Sequence, residues 1–340
     1  MSTFRRTSPA SRFRRVAIVA LFGVATALGA EEEAGEEDGV SLDALYETGR
    51  ALFDQLAPAE IKEQFEFPTK ERWDEFASSL NAALEDEDLS ALAEYLPDAK
   101  AALVALRALP GYEDYADWLQ ERIDYIEAAK DAAATPASEP EQEVTKKEKE
   151  EPGPVRPKES APSPARVAIP HYELWLERMI ERPIPANAGK LLPVVREAFE
   201  AEGVAPEIAW LAEAESTFNP NAKSPVGAKG LFQFMPETAK GLGLSTFMPD
   251  ERTHPEKSAR AAAKYLRELY GKFGDWPLAF AAYNAGEGRV RRLLKKHEAT
   301  TFAGIASVLP SETRMYVPKV CATIAVRAGM TPERIPAPRG

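Results

Sequence analysis

Residues 206–220 read PEIAWLAEAESTFNP, a helical pattern that has both a start signal and a stop signal. Pro206 suits the first position of a helix, because the N–H that proline lacks would have no helical partner there. Asn219-Pro220 ends the pattern, since the residue before a proline avoids the helical conformation. Similar patterns, separated by Pro, Gly and Asn, fill the chain from His171 onward with almost no strand-like alternation. We therefore predict that this part of the chain is an all-α domain.

Glu215 lies on the apolar side of this helix. Ile208, Leu211 and Ala212 recur at helical spacing, and Glu215 follows at the next position of the same stripe. Glu213 is rotated by about 140° from Ile208, so we expect Glu213 to be solvated. A carboxyl group against apolar surface loses water around its charged form, which raises its pKa and suits it to act as a general acid. The alternative is that Glu215 ends the helix and forms an ordinary ion pair.

The residues after Glu215 predict a loop and then further helices. Residues 224–230 are rich in turn-forming types, and residues 230–236 read GLFQFMP, an apolar segment with one polar residue. That composition suits a cleft wall that bonds a neutral sugar amide or hydroxyl. A helix that starts at Pro236 is the other interpretation, and the two are compatible. Apolar residues at helical spacing predict two more helices, over residues 255–270 and 276–285.

The N-terminus predicts export. Residues 1–30 contain five arginines and no acid, and their apolar run from residue 16 ends in small residues. This pattern is typical of a secretory signal peptide cleaved near residue 29 or 30, with an uncleaved anchor as the alternative. The single cysteine, Cys321, excludes a lipoprotein signal and an intrachain disulfide, and we expect it in the core.

Composition divides the rest of the chain. Residues 31–133 show helical spacing with breaks at Pro58, Pro68, Pro97 and Gly111, which predicts a separate small α-helical module whose role we leave unassigned. Residues 134–166 are rich in Pro, Ala, Glu and Lys and predict a disordered linker.

The net charge of −12 is unevenly distributed along the chain. Residues 31–165 carry 35 acidic and 13 basic side chains, whereas residues 166–340 carry 19 acidic and 24 basic ones, which suits an anionic polymer partner.

Other chemistries lack the required patterns. The three histidines have no metal-ligand spacing, and the Gly241-Leu242-Gly243 segment follows no predicted strand, so we expect neither a metal nor a nucleotide cofactor. Residues 289–296 form a basic helix. For an exported protein, an anionic polymer outside the cell is a better partner than nucleic acid, and a solvated helix face is an equally good interpretation.

Four motifs in order resemble those of the soluble lytic transglycosylase domain, including its membrane-bound D type, which is related in fold to goose-type lysozyme. They are Glu215-Ser216 with Phe218-Asn219-Pro220, Gly227 to Pro236, Ala281 to Gly286, and Glu312-Thr313-Arg314-x-Tyr316-Val317. The resemblance covers roughly residues 185–330 and is specific, because four motifs seldom coincide in order. It implies that residues 167–340 form a lysozyme-like, all-α catalytic domain.

The resemblance also implies the activity and the roles of individual residues. The substrate would be peptidoglycan glycan strands in the periplasm or envelope of a Gram-negative-type bacterium. Glu215 would be the single acid/base, and the product would be 1,6-anhydromuramic acid. No cofactor, metal, nucleic acid or stable membrane insertion after signal cleavage is expected, and protein partners stay unassigned. Residues that would shape or line the sugar groove are Ser216, Gln233, Phe234, Met235, Tyr283, Asn284 and Tyr316.

Two alternatives to this activity stay open. The first is hydrolysis by the same acid with water as the nucleophile, as in muramidases. The second is a non-catalytic peptidoglycan-binding or scaffold protein built on the same fold, although the intact Glu215-Ser216 pair argues against it.

Overall fold

The computed structural model describes most of the chain beyond residue 66. The described residues are 67–85, 89–108, 113–134, 169–224 and 227–339, with isolated positions between 46 and 62. The predicted signal segment and, apart from Ala134, the predicted linker lie outside them. Within the described ranges the structure is helical and contains no β-strand, only two isolated bridges, which confirms the all-α class. No helix in these ranges is both long enough and apolar enough to cross a membrane.

The predicted module at residues 31–133, which we call the acidic module, is helical in its described part. Its elements are α1 (Lys70–Glu85), a 3-10 helix (Leu89–Tyr95), α2 (Leu96–Ala108) and α3 (Glu113–Ala134). Two of the predicted breaks fall at helix starts: Pro68 precedes α1, and Pro97 is the second residue of α2, where a missing N–H costs nothing. The long helix α3 packs against both α2 and the 3-10 helix, so it is the central helix of the module.

Residues 167–340, which we call the second domain, contain nine α-helices within the described residues. They are α4 (Tyr172–Glu181), α5 (Ala188–Ala201), α6 (Leu211–Ser216), α7 (Pro236–Gly241), α8 (Pro255–Phe273), α9 (Trp276–Ala285), α10 (Glu287–Lys296), α11 (Phe302–Ile305) and α12 (Ser311–Ala328). Short 3-10 helices occur at Pro206–Trp210, Glu251–Thr253, Ala306–Val308 and Pro332–Arg334.

Helix α12 is the centre of the second domain. It packs against α4, α6 and α9, and it also contacts α3 of the acidic module. Its residues are buried on nearly every side from Met315 to Ile324, and the predicted core position of Cys321 is confirmed. Because α12 contacts helices of both units, the acidic module lies directly against the second domain.

The two helices predicted from apolar spacing are confirmed. Helix α8 begins at Pro255 as predicted and ends at Phe273, three residues later than expected, where Gly274 adopts the left-handed conformation of a C-cap at φ 68°. Helix α9 has the predicted bounds, and Asp275 caps it by accepting a bond from Leu278 N–H. The two helices pack on each other.

Candidate active site

Glu215 is the penultimate residue of α6. The segment starts at Pro206 as predicted, passes through a 3-10 turn, and continues as α6 until Thr217 adopts the left-handed conformation at φ 52°. Ile208, Leu211 and Ala212 are fully buried. Glu215 continues that buried stripe as predicted, and it is itself partly exposed.

A cavity of about 590 Å³ opens beside Glu215. From the second domain, its walls include Glu215, Ser216, Lys223, Gln233 and Lys319. The opposite wall comes from the acidic module, where α3 contributes five residues and α2 contributes one. These are Arg107, Asp117, Trp118, Gln120, Glu121 and Asp124. The cavity therefore lies between the two units.

Burial controls the ionisation of Glu215. The loss of solvation raises the pKa of this carboxyl group to about 8, so it is mostly protonated at neutral pH. The hydroxyl of Tyr316 donates a short hydrogen bond to Glu215 Oε1, which acts in the opposite direction. Burial also raises the pKa of Tyr316 well above its ordinary value, so Tyr316 remains a donor. This is the neutral, hydrogen-bonded carboxyl group that a general acid requires.

The expectation that Glu213 is solvated is wrong. Glu213 is only 2% exposed, and its two carboxylate oxygens accept bonds of 2.8 and 2.7 Å from Nε and Nη2 of Arg327. The rotation away from Ile208 is real, but α12 covers that face of α6 as well. Glu213 and Glu215 therefore do have different environments, because one is held in a buried ion pair and the other carries a proton.

Ser216 connects α6 to the following loop. Its hydroxyl is buried and lies 3.2 Å from the carbonyl oxygen of Ala212 and 3.0 Å from that of Leu231. A hydroxyl has one proton to donate, so the two carbonyls share it. Ser216 lines the cavity and fixes the distance between the acid and the loop at 230–236.

The loop at 230–236 has the mixed character predicted for it. Gln233 lines the cavity in a left-handed conformation at φ 46°, and its Nε2 donates to the carbonyl of Gly230 at 2.8 Å. Phe234 is buried against the ring of Tyr283, with centroids 6.0 Å apart, and is not part of the cavity lining. Met235 is the N-cap residue of α7, so the helix start at Pro236 is confirmed.

Two motif residues of α9 connect this helix to the loop and to α12. The hydroxyl of Tyr283 donates to the carbonyl of Phe232 at 2.9 Å, which holds the loop on α9. Asn284 Oδ1 accepts a 2.7 Å bond from the hydroxyl of Thr313 in the first turn of α12. These contacts fix the register of α12, and α12 in turn brings the hydroxyl of Tyr316 to Glu215.

Sequence reasoning missed the charged residues behind the acid. Lys319 is 2% exposed, and its ammonium group lies 2.7 Å from Oε1 of Glu121. Arg122 pairs with Glu312 at 2.6 Å. Burial acts to raise the pKa of Glu312, but Arg122 outweighs it and the pKa lies below its ordinary value. A lysine amid the apolar residues of α12 was the available signal, since buried lysines are rare unless they are paired.

Comparison with known proteins finds relatives of the segment that contains this site. The family described as Transglycosylase SLT domain matches residues 194–304. Membrane-bound lytic murein transglycosylase D of Escherichia coli (strain K12) is 40% identical over 122 residues, which are 34% of this chain and 26% of that protein. Soluble lytic murein transglycosylase of Salmonella typhimurium is 42% identical over 120 residues, 33% of this chain and 19% of that protein. The matches thus span about a quarter or less of these relatives.

Among solved structures, the 70 kDa soluble lytic transglycosylase of Escherichia coli aligns with 94% of this chain and 53% of its own, at 21% identity and a TM-score of 0.39. The match at residues 194–304 includes Glu215, the loop at 230–236 and the end of α9. Residues 194–304 of this chain, which carry the candidate acid, thus match the family described as Transglycosylase SLT domain.

Proposed function

We propose that this chain is a peptidoglycan lytic transglycosylase, which cleaves the β-1,4 bond between N-acetylmuramic acid and N-acetylglucosamine. The observation that carries the proposal is the carboxyl group of Glu215, protonated at neutral pH, bonded to Tyr316, and placed at a cavity of an SLT domain. The names of the relatives supply the substrate class, and the site supplies the acid.

In the proposed reaction, Glu215 gives its proton to the glycosidic oxygen as the bond from that oxygen to C1 of the muramyl residue breaks. The N-acetylglucosamine end leaves with a free hydroxyl group. The Glu215 carboxylate then takes the proton of the muramyl C6 hydroxyl while the C6 oxygen bonds to C1. The product is 1,6-anhydromuramic acid, no water is consumed, and Glu215 regains its starting protonation state.

The surrounding charges support chemistry with one carboxyl group. Ordinary glycosidases use two, with the second acting as a nucleophile or as a base for water. The acids whose charges act on Glu215 are Glu121 and Glu312. Each is held in an ion pair, Glu121 with Lys319 and Glu312 with Arg122. The hydroxyl group of the substrate itself takes the place of the second carboxylate in this proposal.

The proposed binding residues divide into two groups. Ser216 and Gln233 line the cavity, so we assign them direct contact with the glycan strand. The other group supports the walls: Phe234, Tyr283, Asn284 and Tyr316 do so through ring packing or hydrogen bonds, and Met235 is the N-cap residue of α7. The basic-then-apolar N-terminus supports export of the enzyme to the periplasm or cell envelope, where this substrate occurs.

Replacement of Glu215 tests the proposal. We expect Glu215→Gln to fold and to release soluble muropeptides from purified sacculi on the order of 10²- to 10⁴-fold more slowly, because the amide cannot donate the proton. Glu207→Gln, in the same segment and outside the cavity lining, is the control and should retain the parental rate. Since Glu215 acts as an acid only while protonated, the parental rate should fall as pH rises through about 8. Equal turnover by Glu215→Gln would rule the assignment out.

A further inference from the structure

Helix α3 of the acidic module is part of the active-site cavity. Trp118, Gln120, Glu121 and Asp124 lie on one side of α3 and line the same cavity as Glu215. The role of this module does not follow from the SLT domain, since the family match begins only at residue 194. Contact with the cavity points to a role in the reaction itself.

The most specific contact between the units is at Lys319. Its Nζ lies 2.7 Å from Oε1 of Glu121, 3.2 Å from the carbonyl oxygen of Ala214 and 3.4 Å from the hydroxyl of Tyr125. Ala214 directly precedes Glu215, so the ammonium group is bonded to the backbone that carries the acid. Lys319 is almost fully buried, and Glu121 is its only carboxylate partner among the described residues.

The next residue of α3 makes a second, complementary pair. Arg122 binds Glu312, which precedes Lys319 by two helical turns on α12. Two consecutive residues of α3 with opposite charges therefore match two opposite charges on one face of α12. This arrangement fixes the register of the module against the helix that supplies Tyr316 to the acid.

We propose that Glu121 is a positioning residue of the active site: it neutralises the ammonium group of Lys319 and holds it against the Ala214 carbonyl, so that the acidic module completes the site of the SLT domain. This inference rests on the proposed function, because it assigns the module to the same acid. Without Glu121, the charge of Lys319 would be buried beside Glu215 with no counter-charge.

The electrostatic consequence has a definite sign. The positive charge of Lys319 favours the carboxylate form of Glu215, and the negative charge of Glu121 opposes it. The other titratable and charged groups that act on or next to Glu215 are Tyr316, Glu312 with its partner Arg122, Tyr283 and Tyr125. Substitution of Glu121 alone leaves all of these in place, so the change at Glu215 reports on the Lys319 pair.

The test is a carboxyl titration of Glu215 in the full chain. With ¹³C-labelled glutamate, the resonance of Glu215 is identified by its absence in Glu215→Gln. We expect Glu121→Gln to lower the pKa of Glu215 by about one unit and to move the high-pH limb of the rate profile by the same amount. Combining Glu121→Gln with Lys319→Met removes both charges and should return the titration toward the parental one. Glu127→Gln is the matched control, because Glu127 lies on α3 and pairs with Lys100 and Arg178 instead.

The results separate this inference from the proposed function. If the Glu215 titration is the same in Glu121→Gln as in the parent, the inference is overturned. A rate that falls equally at every pH, with no recovery in the double variant, would also overturn it, since that pattern indicates a purely structural role. The titration requires no substrate. Failure of the parental enzyme to form an anhydro product would therefore remove the proposed function and leave the titration as an independent result.

Discussion

At Glu215, burial and a hydrogen bond act on the pKa in opposite directions. Burial is the larger effect and raises the pKa to about 8, whereas the hydroxyl of Tyr316 stabilises the carboxylate and limits the rise. The balance suits both steps of the proposed reaction, since the group must first release a proton and then accept one near neutral pH. The pKa of Glu215 therefore depends on the hydroxyl of Tyr316 as well as on burial.

Loss of the Tyr316 hydroxyl should raise the pKa of Glu215. We expect Tyr316→Phe to raise the pKa of Glu215 further, by about one unit, because a hydrogen bond to a charged group is worth about 1.5–3 kcal/mol. The high-pH limb of the rate profile should shift upward and the maximal rate should fall, as measured on sacculi over pH 5 to about 10.

Tyr270→Phe is the control for this substitution, because the ring of Tyr270 packs on Trp276 away from the acid. Its profile should match the parental one. A limb that stays in place or moves to lower pH in Tyr316→Phe would contradict the account of the hydrogen bond.

Helical spacing predicted the position of Glu215 on its helix but not the surroundings of Glu213. Helical spacing within one segment is a local property, and it correctly placed Glu215 on the buried stripe. The partner of Glu213 is Arg327, which is 114 positions away and belongs to another helix. Periodicity within a single segment cannot reveal a contact with another helix. The spacing therefore could not show that α12 covers the face of α6 that carries Glu213.

At the scale of the helices, the pair of Glu213 and Arg327 fastens α6 to the end of α12. Arg327 also donates to the backbone carbonyls of Arg182 and Pro183, so three segments meet at one guanidinium group. Both charged side chains are nearly buried, that of Arg327 at 7% exposed and that of Glu213 at 1%. Removal of one partner leaves a buried charge with no compensation, which is far more costly than loss of a surface pair.

Arg327→Met should therefore lower the free energy of unfolding by about 3–5 kcal/mol, measured by denaturant unfolding. Combining it with Glu213→Gln should recover part of the loss, because no charge then stays buried alone. Arg291→Met is the control. The side chain of Arg291 is 73% exposed and its pair with Glu287 is long, so we expect a change of at most about 0.5 kcal/mol. Similar effects of Arg327→Met and Arg291→Met would show that the buried pair does not fasten the helices.

The loop at 230–236 depends on a glycine. Gly230 has φ +82°, and a Cβ there would lie 1.9 Å from the carbonyl oxygen of Arg252. The guanidinium group of Arg252 in turn donates to the carbonyls of Gly227 and Phe234, which closes the loop onto the following 3-10 helix. Any side chain at Gly230 must push these two segments apart.

We expect Gly230→Ala to destabilise the protein by about 2 kcal/mol or more and to impair turnover, since Gln233 is held by the Gly230 carbonyl. Gly227→Ala is a matched control, because Gly227 also has positive φ, +95°, but its Cβ would meet nothing within 4 Å. It should cost only the backbone strain of about 1–2 kcal/mol. Equal melting temperatures for the two variants would contradict the close approach.

Helix bounds were the most predictable part of the fold. Apolar spacing placed the start of α8 and both ends of α9 correctly, whereas α8 ends three residues later than expected. The short helices around the site were harder, since α6 and α7 have six residues each and are stabilised by their neighbours rather than by their own periodicity. The packing of Phe234 behind the cavity wall follows from such neighbours.

At the scale of the whole molecule, the uneven charge of the chain has a structural counterpart. The acidic helix α3 faces basic residues of the second domain, with pairs from Asp124 to Arg182 and from Asp131 to Arg178. The sequence predicted two units with different charge, but not that one contributes a wall to the cavity of the other. Contacts between residues nearly 200 positions apart, such as Glu121 with Lys319, leave no local pattern in the sequence.

The most direct test of the central claim is the chemical identity of the released sugar. Mass spectrometry of muropeptides from sacculi treated with the purified protein should show 1,6-anhydromuramic acid ends, which are lighter than hydrolysed ends by the mass of a water molecule. Glu215→Gln should yield neither product above background. Reducing muramic ends in place of anhydro ends would show that water is the nucleophile, and would contradict the transglycosylase reaction proposed for Glu215.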